Sequence, residues 1–390
     1  MSTRKQTVRL GIIGVGGMGS HHARSILQNN IPRCTLAAVC DINPERLRQF
    51  DAMPEIQQFD DSRTLIRSGA VDAVLIATPH YAHTTIGIDA LNLGLHVLVE
   101  KPISVHKADC EKLIAAHSSK KQVFCAMFNQ RTQPCYQKVK QLIESGELGT
   151  LVRVNWIITD WFRSEAYYAQ GGWRATWAGE GGGVLLNQSP HQLDLLQWLC
   201  GMPSKVRAFC HLGKYHDIEV EDEVTAYFEY PGGATGVFIT STGEAPGTNR
   251  LEICGDRGKI VIERYQLSFI RNEVPASEFG RATKELFATP QVWNIDIPVQ
   301  RGAGEHNKIL TNFTDAILDG TPLLAPAEEG IHSVELANAM LYSSLTGKPV
   351  EVPIDGAAFA RMLKKLIKES TFKKKVKKPA RNVDMTTSFR

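Results

Sequence analysis

No stretch of this 390-residue chain reaches the roughly 18 consecutive apolar residues that a membrane-spanning helix needs, so no membrane partner is expected. Cysteine pairs are missing too. The eight cysteines (34, 40, 110, 125, 135, 200, 210 and 254) include no C-x-x-C, which removes the usual zinc and dithiol patterns, and no metal is expected. Several sit in apolar runs, as Cys125 does within 123–127, and read as buried free thiols of a reducing compartment. Internal repeats and low-complexity tracts are absent apart from a basic C-terminus. Net charge is only +3, and even that is local: between Arg361 and Arg381 ten Lys or Arg stand against one Glu, so the rest of the chain is slightly acidic. A body of that sign does not read as a nucleic-acid binder. The lysine run 373–378 reads as a solvated, flexible tail, with contact to an anionic surface as the alternative. A basic N-terminus before a short apolar run resembles a secretion signal, but that run is needed as a first strand. The chain is therefore expected to be cytoplasmic.

What is present is alternation. Residues 8–13 form an apolar strand-like run, followed by Gly14-Val15-Gly16-Gly17-Met18-Gly19 and then a helix-like segment from Ser20. Strand, glycine turn and helix together make GxGxxG a dinucleotide site: Gly14 for the tight turn, Gly16 for close approach of a pyrophosphate, Gly19 for helix–strand packing. Gly17 and Met18 belong to the same loop, and the helix start offers N–H groups to phosphate. Asp41 ends a second strand, 35–40, about 20 residues beyond the last glycine, where a carboxylate binds ribose hydroxyls and repels a 2′-phosphate. That favours NAD over NADP; the plain alternative for Asp41, before Ile42-Asn43-Pro44, is a turn or cap residue.

Further strands are expected at 73–77, 96–99 and 123–127, with helices at 83–93 and 107–118 between them. This predicts an α/β chain whose N-terminal part is a doubly wound parallel sheet, the Rossmann arrangement. Ligands in such sheets bind beyond the carboxyl ends of the strands, which singles out Thr78, Pro79, Glu100, Lys101 and Pro102, with His83 beside them. After about residue 150 the pattern becomes runs of strands (151–161, 206–212, 224–230, 235–240, 251–254 and 259–263) separated by Gly-containing turns, with helices near 186–199, 305–318 and 327–344. That predicts an α+β domain with a large, mostly antiparallel open sheet. The expected division is 1–128, 129–370 and a tail from 371 to 390.

The glycine fingerprint, Glu100-Lys101-Pro102 after a strand, and Gly181-Gly182-Gly183 leading to His191-Gln192-Leu193-Asp194 occur in this order. Together they make the chain resemble the glucose–fructose oxidoreductase, inositol dehydrogenase and rhizopine catabolism family (Gfo/Idh/MocA). The resemblance implies an NAD(P)-dependent oxidoreductase acting on a hydroxyl or ketone of a sugar, cyclitol or related polyol, without metal, as a homodimer or homotetramer joined through the open sheet. It also implies catalytic roles for Lys101 and His191. Physical reasoning supports Lys101: a lysine confined beside cofactor and substrate has a lowered pKa and can take a hydroxyl proton as hydride departs. A lone helical histidine is more often structural, but a place after a glycine run and facing a cleft favours function for His191. Asp194, at i+3, reads as an orienting or packing residue.

One departure stands out. Many relatives carry Asp four residues before that histidine, whereas this chain has Asn187, which can hydrogen-bond substrate as an i, i+4 neighbour of His191 but cannot ionise. The aromatic stretch 160–177, with Trp161, Arg163, Tyr167, Tyr168 and Trp173, fits a platform for a sugar ring, or else an interdomain packing cluster. Arg131, and less so Asn129, resembles positions where relatives contact substrate, and His306 is a weaker candidate. Two other functions use the same residues: NAD-dependent glycoside cleavage by transient oxidation and elimination, and a cofactor-bound sensor without turnover.

Overall fold

The computed structural model describes residues 6–300 and 302–376. Six strands form the first sheet: β1 (Val8–Ile13), β2 (Cys34–Cys40), β3 (Gln57–Phe59), β4 (Ala73–Ile76), β5 (His96–Val99) and β6 (Phe124–Ala126). All neighbours are parallel, in the order β3-β2-β1-β4-β5-β6. The order reverses on either side of β1, and the crevice beyond the carboxyl ends of β1 and β4 lies at that switch point. The strands are apolar on both faces because helices cover both sides: β4 is buried at all four residues. Gly17–Leu27 and His80–Asn92 are among those helices.

The second sheet has nine strands: β7 (Leu151–Ile158), β8 (Lys205–Leu212), β9 (Glu221–Glu229), β10 (Thr235–Ser241), β11 (Asn249–Gly255), β12 (Gly258–Glu263), β13 (Gln266–Asn272), β14 (Val292–Ile295) and β15 (Val350–Glu351). Every pairing is antiparallel except β10 with β7. One face is covered: Gly330–Thr346 and Pro190–Cys200 pack there, with Trp156, Phe228 and Phe238 fully buried beneath. Alternation of buried and outward residues along β9 and β10 is what a half-covered sheet requires.

Two expectations change. A single helix over 186–199 does not form: a short turn, Val184–Asn187, ends before Ser189, and a new helix runs Pro190–Cys200. Pro190 has no N–H to continue the turn and is suited to a first helical position. Asn187 and His191 are consequently not stacked on one helix face. The second change concerns residues after 300. The helix His306–Asp319 places Ile309, Leu310 and Phe313 in the core of the first sheet, so the late chain crosses back to the nucleotide-fold side. All eight cysteines are free thiols, five of them buried. Of the expected tail, 377–390 lies outside the described residues.

Candidate active site

The glycine loop closes the crevice floor. Gly14 has φ +90°, and a Cβ there would stand 2.7 Å from the Ala77 carbonyl oxygen, so no other residue fits. At Gly19 a Cβ would stand 1.8 Å from the Gly14 carbonyl, the mark of helix pressed on strand. Gly16 differs: a Cβ there would meet nothing nearer than Arg46 Nη1 at 3.6 Å, so this glycine faces open space. It caps a helix start, Gly17 onward, to which no side chain donates or accepts, leaving the first N–H groups for a phosphate. Gly17 is exposed and Met18 half-buried at that mouth. Asp41 is buried at the end of β2; its oxygens accept from Val15 N at 3.0 Å and Asn43 N at 2.9 Å. Arg46, on the short helix Pro44–Leu47, reaches Asp41 at 3.3 Å. These features fit a dinucleotide: an open glycine cradle, free helix N–H groups and an acid at the ribose end. Arg46 was not foreseen; a basic residue one helical turn beyond the acid was its signal.

At the other end of the crevice stand the ends of β4 and β5. His83 is buried, with Nδ1 2.8 Å from Pro102 O and Nε2 2.8 Å from Thr78 O. It joins the two strand ends and does not itself face the crevice; burial lowers its pKa against the pull of both carbonyls. Thr78 Oγ1 is buried without a hydrogen bond, and Pro79 is exposed. Glu100 is buried and anchors the next residue: Oε2 accepts from Lys101 N at 3.2 Å and Oε1 lies 2.7 Å from His22 Nε2. Burial alone would raise this carboxyl, but the His22 hydrogen bond and nearby positive charge hold it low and ionised. His306 sits behind it, its ring 5.6 Å from that of His22.

Lys101 emerges from this buried base, and its peptide to Pro102 is cis. Its Nζ donates to the Asn187 carbonyl at 2.7 Å. Burial lowers its pKa to about 8; Glu100 and Glu180 oppose the drop, while Arg174 and Arg163 add to it. His191 is buried, its Nδ1 has no hydrogen-bond partner, and burial with the charge of Lys101 puts its pKa well below 6.5. The imidazole is therefore neutral, and Nδ1 is a buried hydrogen-bonding atom left without a partner.

Asn187 does something other than expected. Its carbonyl holds Lys101, but its side-chain amide donates to Glu180 Oε1 and accepts from Tyr167 Oη at 3.2 Å. Glu180 was missed in the sequence, although an acid directly before Gly181-Gly182-Gly183 was visible there. It is buried, and Oε2 accepts from Ala175 N at 2.6 Å, tying the aromatic segment to the helix turn below Lys101. Within that segment the ring of Trp173 stands 5.4 Å from that of His80, and Arg163 lies over Trp161 and Tyr167 at 5.3 and 5.1 Å. Trp161 and Trp173 are half-buried.

Arg131 is the clear correction. Its side chain is 1 % exposed, with Nε and Nη2 donating to Asp194 at 2.7 and 2.6 Å and Nη1 to Glu329 at 2.6 Å and Leu324 O at 3.2 Å. The guanidinium is spent on a buried ion network and has no face toward substrate. Asn129 is buried as well and donates to Gly304 O at 3.0 Å.

Residues 8–128 match a family described as an oxidoreductase family with an NAD-binding Rossmann fold, GFO/IDH/MocA, and residues 136–261 match a C-terminal domain of the same family. The chain belongs to the GFO/IDH/MocA family. The chain is similar to the myo-inositol 2-dehydrogenase of Thermotoga maritima, 25 % identical over 66 % of this chain and 76 % of that one. An uncharacterized oxidoreductase of Bacillus subtilis, YrbE, is 24 % identical over 88 % of this chain and 96 % of that one. Among solved structures, the WlbA dehydrogenase of Bordetella pertussis, in complex with NADH and UDP-GlcNAcA, is 25 % identical with a TM-score of 0.75, covering 90 % of this chain and all of that one. Like the rest of the GFO/IDH/MocA family, this chain is an oxidoreductase, and NAD is its cofactor. Among the described residues no helix is long and apolar enough to cross a membrane.

Proposed function

We propose that this protein is an NAD-dependent dehydrogenase that oxidises a secondary hydroxyl of a sugar, cyclitol or related polyol, with Lys101 as the general base. The observation that carries this reading is Lys101 itself: a lysine brought to a pKa of about 8 and held by the Asn187 carbonyl at the switch-point crevice. NAD, when bound, supplies the hydride acceptor. Gly14, Gly16, Gly17, Met18 and Gly19 would hold its pyrophosphate, Asp41 with Arg46 its ribose, and Thr78 and Pro79 would border the nicotinamide end. Glu100 fixes the Lys101 backbone, so Nζ has a defined origin as it takes the hydroxyl proton. A neutral His191 donates to or accepts from the same hydroxyl, orienting it toward Nζ. Relatives named as acting on inositol support a polyhydroxylated ring as substrate, and Trp161, Arg163 and Trp173 would pack on and hydrogen-bond its far side. The outward face of the second sheet, with Tyr227 and Phe209 exposed, would join two copies as a dimer or tetramer.

The deciding experiment incubates protein and NAD with free sugars, cyclitols, sugar acids and aryl glycosides, following NADH absorbance and aglycone release together. NADH formation that disappears in Lys101→Met supports the dehydrogenase. Aglycone release without net NADH replaces it with glycoside cleavage.

A further inference from the structure

The far side of this site holds two cations, Arg174 and Lys374, that make no direct ion pair with a carboxylate among the described residues. Arg174 lies 4.8 Å from the ring centres of both Tyr167 and Trp173, and its Nη1 donates to Tyr167 Oη at 2.8 Å. Tyr167 donates to the Asn187 side-chain oxygen, so Arg174 stands two hydrogen bonds from the side chain of the residue whose backbone carbonyl holds Lys101. The chain returns to this point from its other end. Beyond the helix Gly356–Glu369, Ser370 Oγ donates to Glu219, Lys374 Nζ donates to the Arg174 carbonyl, and Lys375 Nζ lies 3.7 Å from Asp217. Those contacts seat the segment 370–375 against the aromatic loop.

Neither Arg174 nor Lys374 is ion-paired with a carboxylate among the described residues. Both are half-buried. Glu180 is the acid that acts on both, yet its two oxygens already accept from Asn187 and Ala175, and burial pushes its pKa up. Lys374 is in turn pushed down, by burial first and by Arg174 as well. Adjacent, partly desolvated cations raise the energy of the free site, and an anion placed between them lowers it. The Tyr167 and Trp173 rings orient the guanidinium, whose planar fork suits a carboxylate or phosphate.

We propose that Arg174 and Lys374 form a subsite for an anionic group of the substrate, a carboxylate or phosphate set away from the carbon oxidised at Lys101. The C-terminal segment is then part of the substrate site, and the physiological substrate is an acidic derivative of a polyol. This rests on the dehydrogenase reading above.

Matched compounds test it: a neutral polyol, its counterpart bearing a carboxylate, its phosphate ester, and a nucleoside-diphosphate sugar. Charge-assisted hydrogen bonds predict kcat/KM roughly 10- to 100-fold higher for an anionic member than for its neutral partner. Arg174→Gln and Lys374→Gln should each cut that ratio about tenfold, and Lys374→Arg should preserve it. Which anion gains most separates a sugar acid from a phosphorylated sugar. The same compounds are titrated into Lys101→Met saturated with NADH, with tryptophan fluorescence as the readout, so the subsite is measured without turnover. Equal binding within every pair, no binding at all, or a ratio unchanged in both Gln variants overturns the proposal. Lys101-dependent turnover of neutral polyols without charge preference would overturn it while leaving the dehydrogenase standing. Charge-dependent binding without any NADH formation would keep the subsite and remove the dehydrogenase.

Discussion

Lys101 shows how a residue acquires chemistry from its surroundings. An exposed lysine is protonated at neutral pH and cannot act as a base. Here burial and the guanidinium groups of Arg174 and Arg163 bring it to about 8, while Glu100 and Glu180 keep it from falling further. The rate of oxidation should therefore rise with pH and level off above an inflection near 8, read from the pH profile of kcat/KM. Arg174→Gln removes a cation that lowers Lys101, so its inflection should move upward; an unmoved inflection would show that the profile belongs to another group. Lys101→Met should lower kcat about 10²- to 10⁴-fold, the usual contribution of a positioned acid–base group. Lys101 and His191 could be singled out as candidates from the sequence because each sits beside a local signal, a strand end or a glycine run. The role of the Asn187 amide could not be read there, because Glu180 accepts from its nitrogen and Tyr167 donates to its oxygen, and their approach depends on how the loop folds back.

At the scale of elements, the turn from β1 into its helix separates two jobs that one motif performs. Gly19→Ala would press a methyl into the Gly14 carbonyl and should lower the melting temperature whatever ligand is present. Gly16→Ala meets no close protein atom and should melt as wild type does, yet bind NADH at least tenfold more weakly, as a fluorescence titration would show. A comparable loss of stability in both would mean that Gly16 serves packing alone. The aromatic segment has its own tether. His216 Nδ1 lies 2.9 Å from Asp222 Oδ2, and Nε2 lies 2.8 Å from the Arg163 carbonyl. Burial opposes the charge on His216, but Asp222 raises its pKa above 6.5, and Asp222 is held below 3.8 by the same contact. The histidine contribution is thus fully present below 6.5 and lost as pH rises through its raised value; that of Asp222 is present above 3.8 and lost as pH falls through its lowered one. Hydrogen-exchange protection across 160–168, corrected for the intrinsic hydroxide-catalysed rate, should consequently fall as pH rises through that raised value, and Asp222→Asn should remove the fall.

For the whole molecule, Arg131 is the cross-brace. It joins Asp194 on the second domain's helix to Glu329 on the chain that returns to the first, all around a side chain only 1 % exposed. Arg131→Met leaves Asp194 buried without its partner, and burial already raises that carboxyl. Breaking a buried pair from one side costs about 3–5 kcal/mol, so chemical denaturation should show a loss of that size. If Arg131 instead bound substrate, the variant would keep its stability and lose KM alone. The return of His306–Asp319 has a related consequence: the core of the first sheet is completed by residues from late in the chain, Ile309, Leu310 and Phe313.

What the sequence determined by itself was everything that follows from neighbours along the chain. Apolar runs and glycine turns specified a parallel sheet and then a mostly antiparallel one, because strand period and turn chemistry are local. The glycine loop after the first strand, and the choice of Asp41, Lys101 and His191 as candidates, rested on the same local signals. Tertiary structure alone decided the roles of residues whose partners are far away. Arg131 meets acids 63 and 198 positions distant, and Lys374 meets a carbonyl 200 positions distant. A guanidinium or ammonium offers the same donors in any setting. Whether it braces the fold or faces the substrate depends on which acceptors packing brings within reach.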